Sequence, residues 1–133
     1  LRTNRCLIPA DGFYEWKNAS TGKIPFRIAL ESGELFAFAG LWDAYQGELG
    51  ETIQSFTILT TEANGLVREV HHRMPIVLRR ENESLWLDPG TSNERLDEVL
   101  QPVSASEMSY YKVSRVVNSW KIDDISCIQP VRS

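Results

Sequence analysis

Apolar residues recur at every second position through much of the first half of this 133-residue chain. Residues 24–30 carry Ile, Phe, Ile and Leu at alternate positions, and Phe36 and Phe38 continue the pattern between small alanines. Polar stretches such as 18–23 and 46–52 separate the apolar runs. A period of two is typical of a half-buried strand, and short polar connections join neighbouring strands in antiparallel order. The pattern therefore predicts a sheet built from hairpins and argues against a doubly wound parallel fold.

Helical spacing interrupts the strands at three places. Residues 62–71 predict a short helix that ends before Pro75. Residues 83–87 predict one further turn of helix, and the capping-box sequence at 91–94 predicts a helix that stops at Pro102. Because strands dominate and the helices are short, we expect an α+β fold. Its bent antiparallel sheet would close towards a barrel, with short helices at the periphery.

The composition sets bounds on size and class. With 42% hydrophobic residues the chain has enough apolar material for one core, so we expect residues 1–133 to form a single domain. Two cysteines, Cys6 and Cys127, are too few for a secreted disulfide framework. No apolar run approaches the ~18 residues of a membrane span. We therefore expect a cytoplasmic protein without a membrane partner.

A net charge of −4 argues against nucleic-acid binding through bulk electrostatics. Charge is unevenly placed, however, because residues 66–80 carry four arginines and both histidines against a single acid, Glu69. A local phosphate site is compatible with such a chain. Two of the arginines, Arg79 and Arg80, also have the simpler explanation that they solvate the end of a strand.

Two short segments carry the residues with the most chemistry. In residues 12–16 (GFYEW) a carboxylate lies within a run of aromatic residues, where loss of hydration would favour its protonated form. In residues 71–75 (HHRMP) an imidazole, the side chain that titrates near neutrality, lies two residues from a guanidinium suited to phosphate oxygens. The two segments predict an acid/base pair, Glu15 and His71, beside an anion site at Arg73.

Each of these candidates has a competing explanation. A lone glutamate such as Glu15 is usually solvated on a strand. Thr60 precedes the predicted helix, so its hydroxyl could equally cap that helix or contact a phosphate oxygen. Adjacent histidines on a helix point ~100° apart, and no third ligand lies at a zinc-like spacing, so we expect no metal site and no cofactor.

Four motifs, in one consistent order along the chain, resemble the SRAP family, the SOS response-associated peptidases. They are RCLIPADGFYEW at 5–16, Thr60 followed by NGL at 64–66, H-x-RMPIVL at 71–78, and the pairs VS and VN at 113–114 and 117–118. The resemblance extends over nearly the whole chain, which makes it far more specific than any single motif.

The resemblance implies a function in the repair of DNA damage. Proteins of that family sense abasic sites in single-stranded DNA and couple to them through an N-terminal cysteine, whose α-amine and thiol close a thiazolidine with the sugar aldehyde. The family motifs place the proton-transfer glutamate on Glu15 and the functional imidazole on His71, with His72 at the variable position. They place a phosphate contact on Arg73 and a DNA contact on Thr60. The implied enzyme is a thiol autopeptidase with lyase-like crosslinking of abasic DNA.

The family's N-terminal cysteine has no counterpart in this sequence, in which the first residue is Leu1. We expect the chain to correspond to the C-terminal two-thirds of the family's domain, without the nucleophile. Its expected partners are single-stranded DNA with abasic sites and its own upstream segment as a separate chain. Two alternatives stay open: a non-covalent single-stranded DNA binding module without chemistry, and a cysteine hydrolase that uses Cys6 or Cys127 with His71.

Overall fold

The computed structural model describes residues 4–131, which contain nine strands and two short α-helices. The strands are β1 (Arg5–Ala10), β2 (Phe13–Ala19), β3 (Gly22–Leu30), β4 (Phe36–Gln46), β5 (Thr52–Ile58), β6 (Thr60–Glu62), β7 (Arg73–Pro75), β8 (Val77–Leu78) and β9 (Met108–Lys112). The α-helices are α1 (Glu83–Leu87) and α2 (Asn93–Val99). Leu1, considered above for its place at the start of the sequence, lies outside the described residues.

Antiparallel pairing organises these strands. They form a four-stranded sheet that contains β1, β4, β5 and β8, a three-stranded sheet of order β2-β3-β9, and a two-stranded sheet of β6 and β7. The ladders of the two larger sheets are all antiparallel. The predicted α+β class with short helices is confirmed. Within residues 4–131 the strands form three separate sheets and no closed barrel.

The chain divides into two compact units. The first comprises the residues up to Ala10 together with Phe36–Thr61 and Pro75–Val103. The second comprises Asp11–Leu35, Glu62–Met74 and the residues from Ser104 onward. Neither unit is a continuous stretch of sequence, because the chain passes between them several times. That residues 1–133 form a single domain stays a prediction.

The first unit is built around β4. Strand β1 pairs with the first part of β4, from Arg5 opposite Leu41 to Ala10 opposite Phe36, and β5 pairs with its second part. The buried core beside this sheet consists of Ala39, Ile76, Leu78, Trp86, Leu96 and Val99. Trp86 is fully buried, and its indole Nε1 donates a hydrogen bond to the carbonyl of Cys6 at 2.9 Å. This hydrogen bond connects α1 to β1.

Both predicted helices of the first unit are present, although the start of α2 differs by one position. Ser92, not Thr91, is its N-cap, and the Ser92 hydroxyl accepts a hydrogen bond from the backbone N–H of Arg95 at 3.2 Å. The Thr91 hydroxyl instead donates to the carbonyl of Leu85 at 2.7 Å. Of the described helices, none has the length and apolar character needed to span a membrane.

In the second unit, β3 lies between β2 and β9. Alternation placed Pro25 and Arg27 on the exposed face of this strand, but both residues are buried. The Arg27 side chain carries a charge. Its guanidinium forms an ion pair with Asp11 at 3.2 Å, which compensates the cost of burying the charge. A Cβ at Gly12 would lie 2.6 Å from the guanidinium carbon of Arg27, so the glycine gives this side chain its space.

The helix predicted at residues 62–71 is wrong, since only a 3-10 turn forms there, at Val67–Glu69. The side-chain oxygen of Asn64 accepts hydrogen bonds from the backbone N–H groups of Leu66 and Val67, at 3.1 and 2.9 Å. An asparagine that bonds its own backbone in this way favours a turn over a helix. Asn64 therefore stabilises the turn, and the helix that Thr60 was considered to cap does not form.

Candidate functional site

A cavity in the second unit contains both residues of the predicted acid/base pair. It has a volume of about 360 Å3 and is lined by Glu15, Trp16, Asn18, Lys23, His71 and Asn118. The β2–β3 hairpin supplies four of these side chains, and the loop before β7 and the 3-10 turn at Arg115–Asn118 supply the other two. Glu15 and His71 lie far apart in sequence, and the fold brings them to one concave surface.

Glu15 is half-buried in the middle of β2, where it pairs with Phe26 of β3. The aromatic residues that flank it in sequence have different surroundings. Trp16 lines the same cavity, whereas the hydroxyl of Tyr14 donates to the carbonyl of Cys127 at 3.0 Å. Burial raises the pKa of Tyr14, and the nearby Arg27 charge opposes that shift. Tyr14 thus holds the C-terminal segment against β2, and Trp16 forms part of the wall beside Glu15.

His71 is half-buried, and the backbone of Arg73 holds its ring. The Nδ1 atom of His71 lies 3.1 Å from the backbone N–H and 3.3 Å from the carbonyl oxygen of Arg73. A neutral Nδ1 can accept from the N–H, and a protonated Nδ1 can donate to the carbonyl, so either protonation state has a partner. The backbone of Arg73 therefore fixes the position of the imidazole beside the cavity.

The arrangement of the two adjacent histidines differs from the prediction. The rings of His71 and His72 do not diverge as they would on a helix. They stack with centroids 4.5 Å apart and planes inclined by 22°. His72 is exposed, as its variable position in the motif suggested.

Asn118 is fixed in the cavity wall by Trp16. The indole Nε1 of Trp16 donates a hydrogen bond to Oδ1 of Asn118 at 2.7 Å. This contact joins β2 to the 3-10 turn at Arg115–Asn118. Sequence reasoning counted Asn118 only as a part of the family pattern, and it assigned no role to Asn18 or Lys23, which carry no local signal beyond their place in a polar hairpin.

The two predicted DNA contacts lie outside the set of described residues that line the cavity. Arg73 is exposed on β7, two residues after His71, and Thr60 is exposed on β6 in the first unit. Their roles toward DNA stay predictions, as do the roles of Glu15 and His71 in catalysis.

The cysteines give little support to a cysteine hydrolase. Burial raises the pKa of the Cys6 thiol, which disfavours the thiolate that a nucleophile requires. The Cys127 thiol lies 3.7 Å from the carbonyl of Ile122 and is not among the cavity-lining side chains. Both cysteines therefore fit a packing role better than a nucleophilic one.

Residues 1–120 match the family described as SRAP, SOS response associated peptidase. The chain belongs to the SRAP family. Among curated SRAP relatives, it is 47% identical to the abasic site processing protein YoqW of Bacillus subtilis (strain 168), over 91% of this chain and 55% of YoqW. It is 29% identical to the abasic site processing protein HMCES of Gallus gallus, over 98% of this chain and 45% of HMCES.

A solved structure has the same fold. The X-ray structure of a protein from Bacteroides thetaiotaomicron superposes with a TM-score of 0.90 at 30% sequence identity, covering 97% of this SRAP chain and 57% of that chain. The chain spans about half the length of the curated relatives that it matches.

Proposed function

We propose that this SRAP chain processes abasic sites in single-stranded DNA, with Glu15 and His71 as its acid/base pair. The observation that carries the proposal is that both side chains line one cavity of about 360 Å3. An acid and a base that act on one substrate must reach the same group of atoms. The names of YoqW and HMCES, both abasic site processing proteins, agree with this function.

The first chemical step is the opening of the abasic sugar. In the closed sugar, a base removes the proton of the C1 hydroxyl while an acid protonates the ring oxygen, and the bond between C1 and the ring oxygen breaks to give an aldehyde. Glu15 and His71 are half-buried side chains that can each give or take a proton. The same pair would serve the reverse direction, closure of the sugar after release.

The second step forms the covalent link. The α-amine of an N-terminal cysteine adds to the aldehyde and water leaves, which gives an imine. The cysteine thiol then adds to the imine carbon, its proton moves to the nitrogen, and a thiazolidine results. We propose that polypeptide outside residues 1–133 supplies this cysteine, and that its exposure by removal of a preceding residue is the autopeptidase-like activity.

The cysteine-bearing segment also needs a surface on which to pack. The first unit exposes an aromatic pair, Trp42 on β4 directly opposite Phe56 on β5. These two residues, with Gln54 and Ser55, line a cavity of about 400 Å3. Exposed apolar surface of this kind is typical of a contact with other polypeptide. We propose that the upstream segment, joined or as a separate chain, packs there.

A denaturing gel tests the proposed function. Protein that includes the upstream segment with its N-terminal cysteine is mixed with a single-stranded oligonucleotide that has one abasic site, without borohydride. We expect a band of slower mobility that is absent with the intact oligonucleotide. If the protein binds the oligonucleotide in solution but never gives this band, the non-covalent binding module is the correct description.

The Arg73→Ala variant tests the phosphate contact. One phosphate contact contributes about 0.7 to the slope of log affinity against log salt concentration for single-stranded DNA, so we expect weaker binding and a slope shallower by about that amount. The measurement is a fluorescence-anisotropy titration across a salt series. Arg80→Ala, which removes the same charge from another exposed arginine, is the matched control. Equal slopes for the two variants would exclude a specific role for Arg73.

A further inference from the structure

We propose that Asn118 is a substrate-binding residue whose side-chain NH2 group donates a hydrogen bond to the C1 oxygen of the abasic sugar. This inference rests on the proposed function. It adds a residue that would distinguish an abasic sugar from an intact nucleotide, because the two differ at C1. In an intact nucleotide C1 carries a base. In an abasic sugar it carries a hydroxyl or an aldehyde oxygen.

The orientation of the Asn118 amide follows from its neighbour. The two ends of an asparagine side chain are difficult to tell apart by shape, and hydrogen-bond partners decide between them. The Trp16 indole can only donate, so the Asn118 atom at 2.7 Å from its Nε1 must be the oxygen. The Nδ2 atom therefore occupies the other branch of the amide.

Asn118 is exposed, and its Nδ2 donors have no protein partner within residues 4–131. The bond from Trp16 is the one hydrogen bond of the Asn118 side chain in this part of the protein. Asn118 lines the same cavity as Glu15 and His71. An amide that is held by one atom and contributes two donors to a cavity wall is suited to fixing a ligand oxygen.

The position of Asn118 beside the acid/base pair favours a sugar oxygen as its ligand. The cavity lining contains one carboxylate, Glu15, and one ammonium group, Lys23, so its charges do not select a phosphate. A hydroxyl or aldehyde oxygen is neutral. It must also lie next to the acid/base pair, because the C1 oxygen is the atom whose proton is removed when the sugar opens.

The test compares two abasic oligonucleotides. One carries a natural abasic site, and the other carries its tetrahydrofuran analogue, which lacks the C1 oxygen. The readout is the ratio of the two affinities, measured by anisotropy without reductant. This ratio does not depend on the fraction of folded protein, and the two oligonucleotides have the same charge.

Asn118→Asp is the informative variant. A carboxylate oxygen can still accept the bond from Trp16, but the second oxygen accepts where the amide donated. We expect the preference for the natural site to fall by about tenfold, because the donor to the C1 oxygen is lost and an aldehyde oxygen, which can only accept, would face a carboxylate. Asn18→Asp places the same negative charge in the same cavity wall and measures the effect of charge alone.

Two results would overturn the inference in distinguishable ways. If the unmodified protein prefers the natural abasic site and Asn118→Asp keeps that preference as well as Asn18→Asp does, Asn118 does not contact the C1 oxygen and the proposed function stands. If the unmodified protein binds the natural abasic site and its tetrahydrofuran analogue equally, the C1 oxygen is not recognised and the role of Asn118 fails. The proposed function is then judged separately, by the denaturing gel.

Discussion

Replacement of Glu15 by Gln is expected to slow the formation of the covalent link to abasic DNA by about 10²-fold or more, since a positioned acid/base group contributes roughly 10²–10⁴-fold to rate. Glutamine keeps the shape of the side chain and a hydrogen-bonding oxygen, but it cannot exchange a proton. The half-buried position of Glu15 on a paired strand makes this exchange of similar side chains compatible with the fold.

The measurement is the single-turnover rate of crosslink formation, in protein that includes the upstream segment with its N-terminal cysteine. Glu31→Gln is the matched control, because it removes the same charge from an exposed position in the second unit. Thermal unfolding of both variants shows whether the fold is retained. A Glu15→Gln rate equal to that of the Glu31→Gln protein would mean that Glu15 is only a solvated strand residue.

Replacement of Trp86 by Ala is expected to lower the free energy of unfolding by about 3–5 kcal/mol, the usual cost of truncating a buried aromatic side chain. Trp86 is fully buried, and the variant would also leave the carbonyl of Cys6 without its indole donor. The Trp86 carbonyl accepts a bond from Arg5 Nε at 2.5 Å, so a shift of α1 would disturb β1 as well.

Urea titration followed by far-UV circular dichroism measures this loss. Trp120→Ala is the control. It removes the same indole group, but from a residue that is 88% exposed to solvent. We expect its unfolding midpoint to stay close to that of the unmodified protein. Equal losses for the two variants would show that the core beside β4 does not depend on Trp86.

Local pattern sufficed for most of the regular structure. Alternation with period two predicted the strands of the β2–β3 hairpin, but the connection is shorter than the predicted polar stretch at 18–23, because the ladder extends to Ala19 opposite Gly22. The short helix at Glu83–Leu87 also lies where its spacing placed it. These elements depend on contacts between residues close in sequence, so the sequence signal and the structure agree.

Local pattern gave the wrong prediction where one side chain formed a contact that the spacing of apolar residues does not reveal. The apolar spacing at residues 62–71 favoured a helix, but Asn64 bonds the backbone N–H groups two and three residues ahead and produces a turn. Arg27 had the sequence position of an exposed residue, yet its ion pair with Asp11 allows burial. Neither partner can be recognised from the spacing of apolar residues.

The sequence by itself determined the family, the antiparallel character of the sheets and the two residues proposed as acid and base, because these are properties of motifs and of local periodicity. Tertiary structure alone decided the composition of the cavity. Trp16 and Asn118 lie 102 positions apart, and their hydrogen bond exists only because the fold brings β2 and the 3-10 turn at Arg115–Asn118 together. The same contact sets the orientation of the Asn118 amide. The indole N–H can only donate, so it binds Oδ1 and leaves the NH2 group for a ligand.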